Sequence, residues 1–338
     1  MRAIFIERSG GCDVLKVRQV DPPRPKAGEL AIEVRAAGVN FADILARQGI
    51  YPDCPPYPCV VGYEVAGVVS AVGDGVERSW IGKDVLALTD FGGYAETCCV
   101  GAAYAWEKPA SLSFEQAAAI PLNYITAWAL LIAMGALARG ETVLIHNAGG
   151  GVGLAALDIA KWTGATIIGT ASARKHEFLF ARGCEHCVDY GAGDWPAQVL
   201  RITHGRGVEL VIDPIGGAHW RKSYGVLRKT GRLGMFGISS AAVGGFRAKL
   251  ELLKLVVRTP LFHPLGLVPG NRGVFGVNIH KMYEESGKFR DWMAGILRGV
   301  QEGWVRPHVD RAFRFEEAAA AHAYIEGRGN IGKVILAP

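Results

Sequence analysis

The sequence has no block of basic residues and no stripe of interleaved basic and aromatic residues. That excludes the electrostatic footprint of a nucleic-acid binder. The net charge of +5 is spread among 37 Lys+Arg and 32 Asp+Glu, a balance that suits simple solubility as well as it suits an anionic cofactor. Long hydrophobic runs are also missing. The uncharged stretch 116–137 is interrupted by Pro121, Asn123, Tyr124 and Thr126, so it reads as a buried crossover helix and no membrane span is expected. The opening residues M-R-A-I-F-I-E-R are too charged for a signal peptide and read as a first strand; without a targeting signal, a cytoplasmic protein is expected. Seven cysteines, an odd number in no framework, predict reduced thiols. Cys184 and Cys187 have the C-x-x-C spacing of a metal or redox site, but no second pair stands at zinc-ribbon spacing. They read as buried small hydrophobes.

What is present is a strand, a glycine turn and a helix start. Residues 142–153, T-V-L-I-H-N-A-G-G-G-V-G, run from a β-branched stretch into Gly149, Gly150, Gly151 and Gly153, and L-A-A-L-D-I-A-K-W follows with helical spacing. Glycines let a backbone approach a pyrophosphate, and a helix N-terminus supplies unpaired N–H groups and a positive dipole end.

The 338 residues suggest two domains at roughly 150 residues each. Up to about residue 122 the chain is β-rich, with apolar or alternating runs at 3–6, 29–36, 64–72, 84–88 and 95–100 between Pro and Gly clusters. That pattern predicts a barrel or sandwich. A short helix is expected at 38–48. Another should start at 113, with Ser113 and Gln116 at capping-box spacing. A long apolar helix is expected over 123–138, ending at Arg139 and Gly140. From 142 strands and helices alternate: strands at 142–147, 165–170, 186–190, 208–213, 232–237 and 273–279, helices at 151–163, 174–182, 194–204, 217–229 and 246–258. This predicts an α/β domain with a doubly wound parallel sheet, a Rossmann fold. The proline-bearing segment 261–273 reads as a loop. A helix at 283–302, a strand at 305–313, a helix at 316–325 and a strand at 331–336 are expected to rejoin the first domain.

The residues after the second strand of that sheet choose the nucleotide. NAD sites carry an acid about twenty residues past the glycines. Here A-T-I-I-G-T runs into Ala171, Ser172, Ala173, Arg174 and Lys175. Small and basic residues accept a 2′-phosphate, which favours NADPH over NADH. The alternative is a solvated helix start, although cations there are disfavoured without an anion.

With these residues in view the chain resembles a zinc-independent medium-chain dehydrogenase/reductase of the quinone oxidoreductase type. The resemblance is carried by A-A-G-V-N-F-A-D-I-L-A-R-Q-G-I-Y-P, G-Y-E-V-A-G-V-V, F-G-G-Y-A-E, N-A-G-G-G-V-G, D-P-I-G-G, G-R-L-G-M-F-G and N-I-G-K-V-I-L. G-T-A-S-A-R-K-H-E and N-Y-I-T-A resemble the branch of vesicle amine transport protein homologues. The resemblance implies a β-rich catalytic domain of chaperonin-10-like type from 1–122 and 283–338, wrapped around a Rossmann domain of 123–282. Zinc-dependent relatives place a cysteine where this chain has Asn40 and a histidine where it has Tyr63, and the adjacent Cys98 and Cys99 cannot supply a closed structural site. No metal is therefore expected. The glycine fingerprint has Ala148 at its first position, which costs little if the turn needs no positive φ there.

By the same resemblance Gly150, Gly151 and Val152 lie against the pyrophosphate, and Ser172, Lys175 and Tyr190 hold the 2′-phosphate. Asn40, Thr126, Phe236, Phe275 and Asn330 border the nicotinamide. Tyr190, Phe236 and Phe275 are equally readable as core aromatics. Tyr51 matches a tyrosine that related enoyl reductases use as proton donor, which makes it the expected acid, with Asn40 as a polar orienter. The expected reaction is hydride transfer from NADPH to a small-molecule quinone or α,β-unsaturated carbonyl. The competing reading is a nucleotide-binding protein with an interaction or lipid-binding role, for which the apolar segment 250–268 is the supporting feature. Stoichiometric zinc would revive a third reading, a zinc-dependent dehydrogenase. An exposed last strand at 273–279 predicts a homodimer.

Overall fold

The structure, a computed structural model, describes residues 1–241 and 248–338. The β-rich part begins with β1 (Arg2–Ile6), β2 (Leu15–Gln19) and β3 (Glu29–Val39), then helix α1 (Phe41–Arg47). It continues through β4 (Cys59–Val60), β5 (Glu64–Val72), β6 (Asp84–Leu88), β7 (Thr97–Gly101) and β8 (Ala105–Glu107). Alternation of buried and exposed side chains along these strands places Ile4, Ile32, Val34, Val65 and Val85 in one core.

Two short helices lead out of this part. α2 (Phe114–Ala117) starts on the expected capping box: the Ser113 amide donates to Gln116 Oε1 at 3.0 Å, and the Gln116 amide donates to Ser113 Oγ at 3.2 Å. α3 (Pro121–Trp128) has Pro121 at its first position, where no amide is needed. It widens into a π turn over Ala129–Ala133 and stops there. The expected helix over 123–138 is therefore shorter at its end, because Gly135 and the left-handed Ala136 (φ 44°) turn the chain toward the next strand. The stretch Phe114–Ala133 is long and apolar enough to cross a membrane, but 72% of its most apolar 18 residues are buried inside the fold.

The parallel sheet is built from β9 (Thr142–Ile145), β10 (Thr166–Ala171), β11 (His186–Asp189), β12 (Val208–Asp213), β13 (Leu227–Met235) and β14 (Gly273–Gly276). Its order is β11-β10-β9-β12-β13-β14, the doubly wound arrangement with its switch point beside β9. Helices α4 (Gly151–Thr163), α5 (His176–Arg182), α6 (Trp195–Ile202) and α7 (Ala218–Gly225) are the crossovers. α8 (Ala248–Arg258) follows; residues 246–247 of the helix expected there lie outside the described residues. The segment expected as a loop contains α9 (Pro264–Gly270). Pro264 occupies its first position, and His263 Nδ1 caps it by accepting from the Leu265 amide at 3.2 Å.

After α10 (Ser286–Glu302) the chain returns through β15 (Val309–Arg314), α11 (Ala318–Glu326) and β16 (Lys333–Ala337). β16 pairs antiparallel with β3, so the chain end joins the seven-stranded sheet of the first part. The largest core cluster contains Ala36, Leu86 and Leu88 as well as Ile145, Leu157 and Ile212. The two domains therefore share buried surface.

Candidate functional site

β9 delivers the chain to the switch point, and the turn after it is made by Asn147 at φ 53°. Asparagine tolerates this left-handed conformation. Ala148 does not need it; its amide donates to the Thr170 carbonyl at 3.1 Å. Gly153 is required for a different reason. A Cβ there would lie 2.3 Å from the Asn147 carbonyl oxygen and 2.6 Å from that of Ala148. Only glycine lets α4 start directly against the turn, with its first unpaired amides at the cleft. The chain end seals this corner, since the Gly332 amide donates to the Gly149 carbonyl at 2.9 Å.

Past the end of β10, Ser172 leads into a turn over Ala173–Lys175. Lys175 is only 6% exposed, and its Nζ donates to the Asn330 carbonyl. Arg174 donates to the Arg328 carbonyl at 2.6 Å. Burial, together with the charges of Arg174 and Arg328, pulls the Lys175 pKa down to about 8. Three cations, partly offset by the Asp310 carboxylate, gather at this corner and favour a bound anion there.

A cleft of about 1160 Å³ lies between the two sheets. Gly150, Gly151, Val152 and Thr126 line its floor, with Phe236 and Asn330 beside them. Ser172, Lys175 and Tyr190 line one end, while Asn40 and Tyr51 line the other. Phe275 is not among the lining residues. Alternation along β14 turns its ring away, so that it packs across Gly234 and joins the cluster that contains Leu130. Of the residues expected to border the nicotinamide, Phe275 alone lies outside this lining.

Asn40 precedes α1 in an extended conformation, and its amide donates to Asp43 Oδ2 at 2.8 Å. Its carboxamide is fully engaged by the protein. Nδ2 donates to Glu64 Oε1 at 3.0 Å and to the Gly38 carbonyl at 3.2 Å, and Oδ1 accepts from Lys333 Nζ at 2.5 Å. Lys333 also pairs with Glu64; both are buried. Glu64 Oε2 accepts the Leu122 amide at 2.7 Å, near the start of α3. Burial pushes the Asp43 carboxyl up to about 7, opposed by donors at Asn40, Tyr94 and Gly62.

The Tyr51 ring meets Tyr63 edge-on at 6.0 Å and His280 at 6.4 Å, and Phe91 closes the group at 5.0 Å from Tyr63 and 5.3 Å from His280. Burial raises the Tyr51 and Tyr63 pKa values above the ordinary phenol range, so both hydroxyls keep their protons at neutral pH. The Tyr63 hydroxyl is buried beside that of Tyr51. His280 Nδ1 lies 3.5 Å from Asp90 Oδ1. Sequence reasoning missed Lys333, Glu64 and His280. N-I-H-K, directly after the last strand of the parallel sheet, was the available signal for His280, because the carboxyl ends of such strands face the ligand.

The donors do not fit a zinc ion. At Asn40 and Tyr63 an ion would find an engaged carboxamide and a protonated phenol, where zinc takes thiolate, imidazole or carboxylate. Cys98 is buried in the β-rich core, and Cys99, its neighbour on β7, faces the other way. Among the described residues one other group, His146, Asp213 and His219, has three ligand atoms within 4.8 Å. Hydrogen bonds already account for it. Asp213 Oδ2 lies 2.6 Å from both His219 Nδ1 and Ser223 Oγ, and His146 contacts Thr170 at 3.0 Å and Ser223 at 3.1 Å. Burial pulls the His146 pKa down to about 3 and keeps it neutral.

A doubly wound sheet with a glycine turn, joined to a GroES-like β domain across a deep cleft, defines a dinucleotide-dependent oxidoreductase. Residues 26–110 match the alcohol dehydrogenase GroES-like domain, and residues 182–336 match the zinc-binding dehydrogenase family. The Homo sapiens synaptic vesicle membrane protein VAT-1 homolog is 36% identical over 341 residues, covering 100% of this chain and 86% of that protein. Escherichia coli quinone oxidoreductase complexed with NADPH has a TM-score of 0.87 and 30% identity, over 100% of both chains. The CurK enoyl reductase has a TM-score of 0.85 and 28% identity, covering 99% of this chain and 98% of that one. The chain belongs to the medium-chain dehydrogenase/reductase family, and its relatives are consistent with the zinc-independent quinone oxidoreductase type.

Proposed function

We propose that the protein is an NADPH-dependent reductase of quinones or α,β-unsaturated carbonyls that works without zinc. The observation that carries this reading is one cleft that joins the glycine turn and the buried Lys175 at one end to the Tyr51 ring at the other. Bound NADPH would supply a hydride. Gly150, Gly151 and Val152 hold the pyrophosphate at the start of α4; Ser172, Lys175 and Tyr190, with Arg174 nearby, hold the 2′-phosphate. Thr126, Phe236 and Asn330 border the nicotinamide. Residues 1–122 and 283–338 form the catalytic domain in this reading, and 123–282 the cofactor domain.

Holding two flat partners in one cleft is worth up to about 7–11 kcal/mol in well-oriented systems. A quinone needs little more, because its reduced form carries charge on oxygens. An enone needs a proton, and Tyr51, whose burial keeps it protonated at neutral pH, donates it in this reading. Asn40 is held by Lys333 and Glu64, which supports a role as a fixed wall of the acceptor site more than as a free donor. Absorbance of reduced nicotinamide, followed with a panel of quinones and enones, tests the reading. Acceptor-dependent loss with NADPH supports it; intact NADPH binding without turnover on any acceptor contradicts it.

The competing reading, an interaction or lipid-binding role, is favoured by the exposure of Val257, Leu261, Leu265 and Val268 on and between α8 and α9. We assign this face, beside the β14 edge, to a second copy of the chain. A homodimer would cover both the apolar side chains and the outer strand.

A further inference from the structure

We propose that Cys54 and Cys59 form an oxidation site, a dithiol on the loop between Tyr51 and β4 that closes to a disulfide. Their sulfurs already lie 3.9 Å apart. A disulfide needs about 2.05 Å, so closure requires a movement of roughly 2 Å. Cys59 opens β4 and is anchored, since it pairs with Ile6 of β1 and is buried. Cys54 sits on the preceding loop and is partly exposed, so it can meet an oxidant and can move. The intervening residues are Pro55, Pro56, Tyr57 and Pro58. Three fixed proline φ angles keep the two ends from separating. The Tyr57 hydroxyl ties the crest of the loop to α1 by donating to the Ala46 carbonyl at 2.6 Å.

Cys184 and Cys187 are a second interacting pair, but their thiols also donate to the carbonyls of His186 at 3.2 Å and His176 at 3.9 Å. Cys98 and Cys99 face opposite sides of one strand, and Cys12 is single. Within the Cys54 and Cys59 pair the two thiols are unequal. The two sulfurs share one hydrogen bond, which lowers the Cys54 pKa against its burial and, with burial, raises that of Cys59. A low-pKa, accessible thiol next to a resolving thiol is the usual design of a redox-sensitive pair.

The oxidant is a peroxide. The Cys54 thiolate attacks one peroxide oxygen and breaks the O–O bond, forming a sulfenic acid and, after protonation, one water. The Cys59 sulfur then attacks the Cys54 sulfur and displaces its hydroxyl as a second water, with the Cys59 proton going to that leaving oxygen. Two thiols are oxidised and one hydrogen peroxide is reduced to two waters. The Cys54 amide donates to the Tyr51 carbonyl at 3.2 Å, so the bond forms one hydrogen bond away from the proposed acid.

The test uses the full chain and hydrogen peroxide, followed by thiol alkylation and tryptic mapping. No Lys or Arg lies between Arg47 and Arg78, so one peptide, 48–78, carries both cysteines. The expected result is loss of both alkylation sites on that peptide, with a mass two hydrogens lower than the reduced peptide. Dithiothreitol should restore both sites, and Cys59→Ser and Cys54→Ser should each abolish the lighter species. A peptide that stays doubly alkylated, or that carries added oxygen on Cys54 beside an alkylatable Cys59, overturns the proposal. The wild-type readout stands even if a variant fails to fold, and it needs no turnover, so it is independent of the proposed reductase activity.

Discussion

At the scale of single residues, the proposed function gives Lys175 the cofactor choice and Tyr51 the proton supply. A charge-assisted hydrogen bond is worth about 1.5–3 kcal/mol, so Lys175→Ala should weaken NADPH binding roughly 10- to 100-fold. NADH, which lacks the 2′-phosphate, should bind nearly unchanged; equal losses for both nucleotides in a fluorescence titration would contradict the assignment. The pH dependence follows from the same group. Lys175 is charged below its pKa of about 8 and neutral above it. NADPH affinity should therefore fall as pH rises through about 8, while NADH affinity stays flat. Tyr51→Phe separates the two acceptor classes. Removal of a general acid costs about 10²- to 10⁴-fold, so enone reduction should fall by that factor while quinone reduction changes little. The nicotinamide-cofactor domain was legible in the sequence, because glycines and small residues follow its strands at fixed distances. The acceptor half was less so. Lys333 meets Asn40 from 293 positions away, and Phe275 faces away from the cleft because strand alternation, not residue type, decides its direction.

At the scale of elements, the buried Lys333 and Glu64 pair joins β16, β5 and the start of α3. Lys333→Met would leave a carboxylate buried without its cation, a loss of about 3–5 kcal/mol in urea unfolding. Adding Glu64→Gln should recover part of it; no recovery would show that packing, not charge, is responsible. Asp43 gives a pH signature of the opposite kind to an ordinary carboxylate. Its folded pKa of about 7 lies above the unfolded value of about 3.9. Its contribution is therefore present below about pH 4 and is lost as pH rises through about 7. Asp43→Asn should flatten that decline in the urea midpoint. Elements announced by local chemistry, such as the Ser113 and Gln116 cap, were readable before the structure. The early stop of the helix after α3 and the presence of α9 were not. Each depends on how the chain enters a neighbouring strand or caps itself with a histidine, which composition does not reveal.

At the scale of the whole molecule, the alternation of strands and helices from 142 onward announced the doubly wound sheet, and the β-rich start announced its partner. The return of the chain end to β3 follows from β16 being apolar on both faces of a sheet that the first part leaves incomplete. The buried Asp158 on α4 adds a second tie between the parts. It accepts from Arg182 at 2.9 Å, from the Arg306 amide at 3.0 Å and from the Tyr124 hydroxyl at 2.7 Å. Assembly is the remaining question at this scale. Sedimentation should give twice the chain mass, and Val257→Glu with Leu261→Glu should reduce it to the chain mass; a monomeric wild type would contradict the assigned use of the α8 and α9 face.

The central claim is hydride transfer across the cleft, and it is tested most directly by isotope tracing. NADPH deuterated at its reactive ring carbon is incubated with the protein and an α,β-unsaturated ketone, and the product is read by mass spectrometry and NMR. The account predicts one deuterium at the β-carbon of the product, delivered from one face of the nicotinamide, with the α-hydrogen drawn from solvent. Oxidation of NADPH with no deuterium in the product, or no oxidation despite saturated NADPH binding, would contradict it.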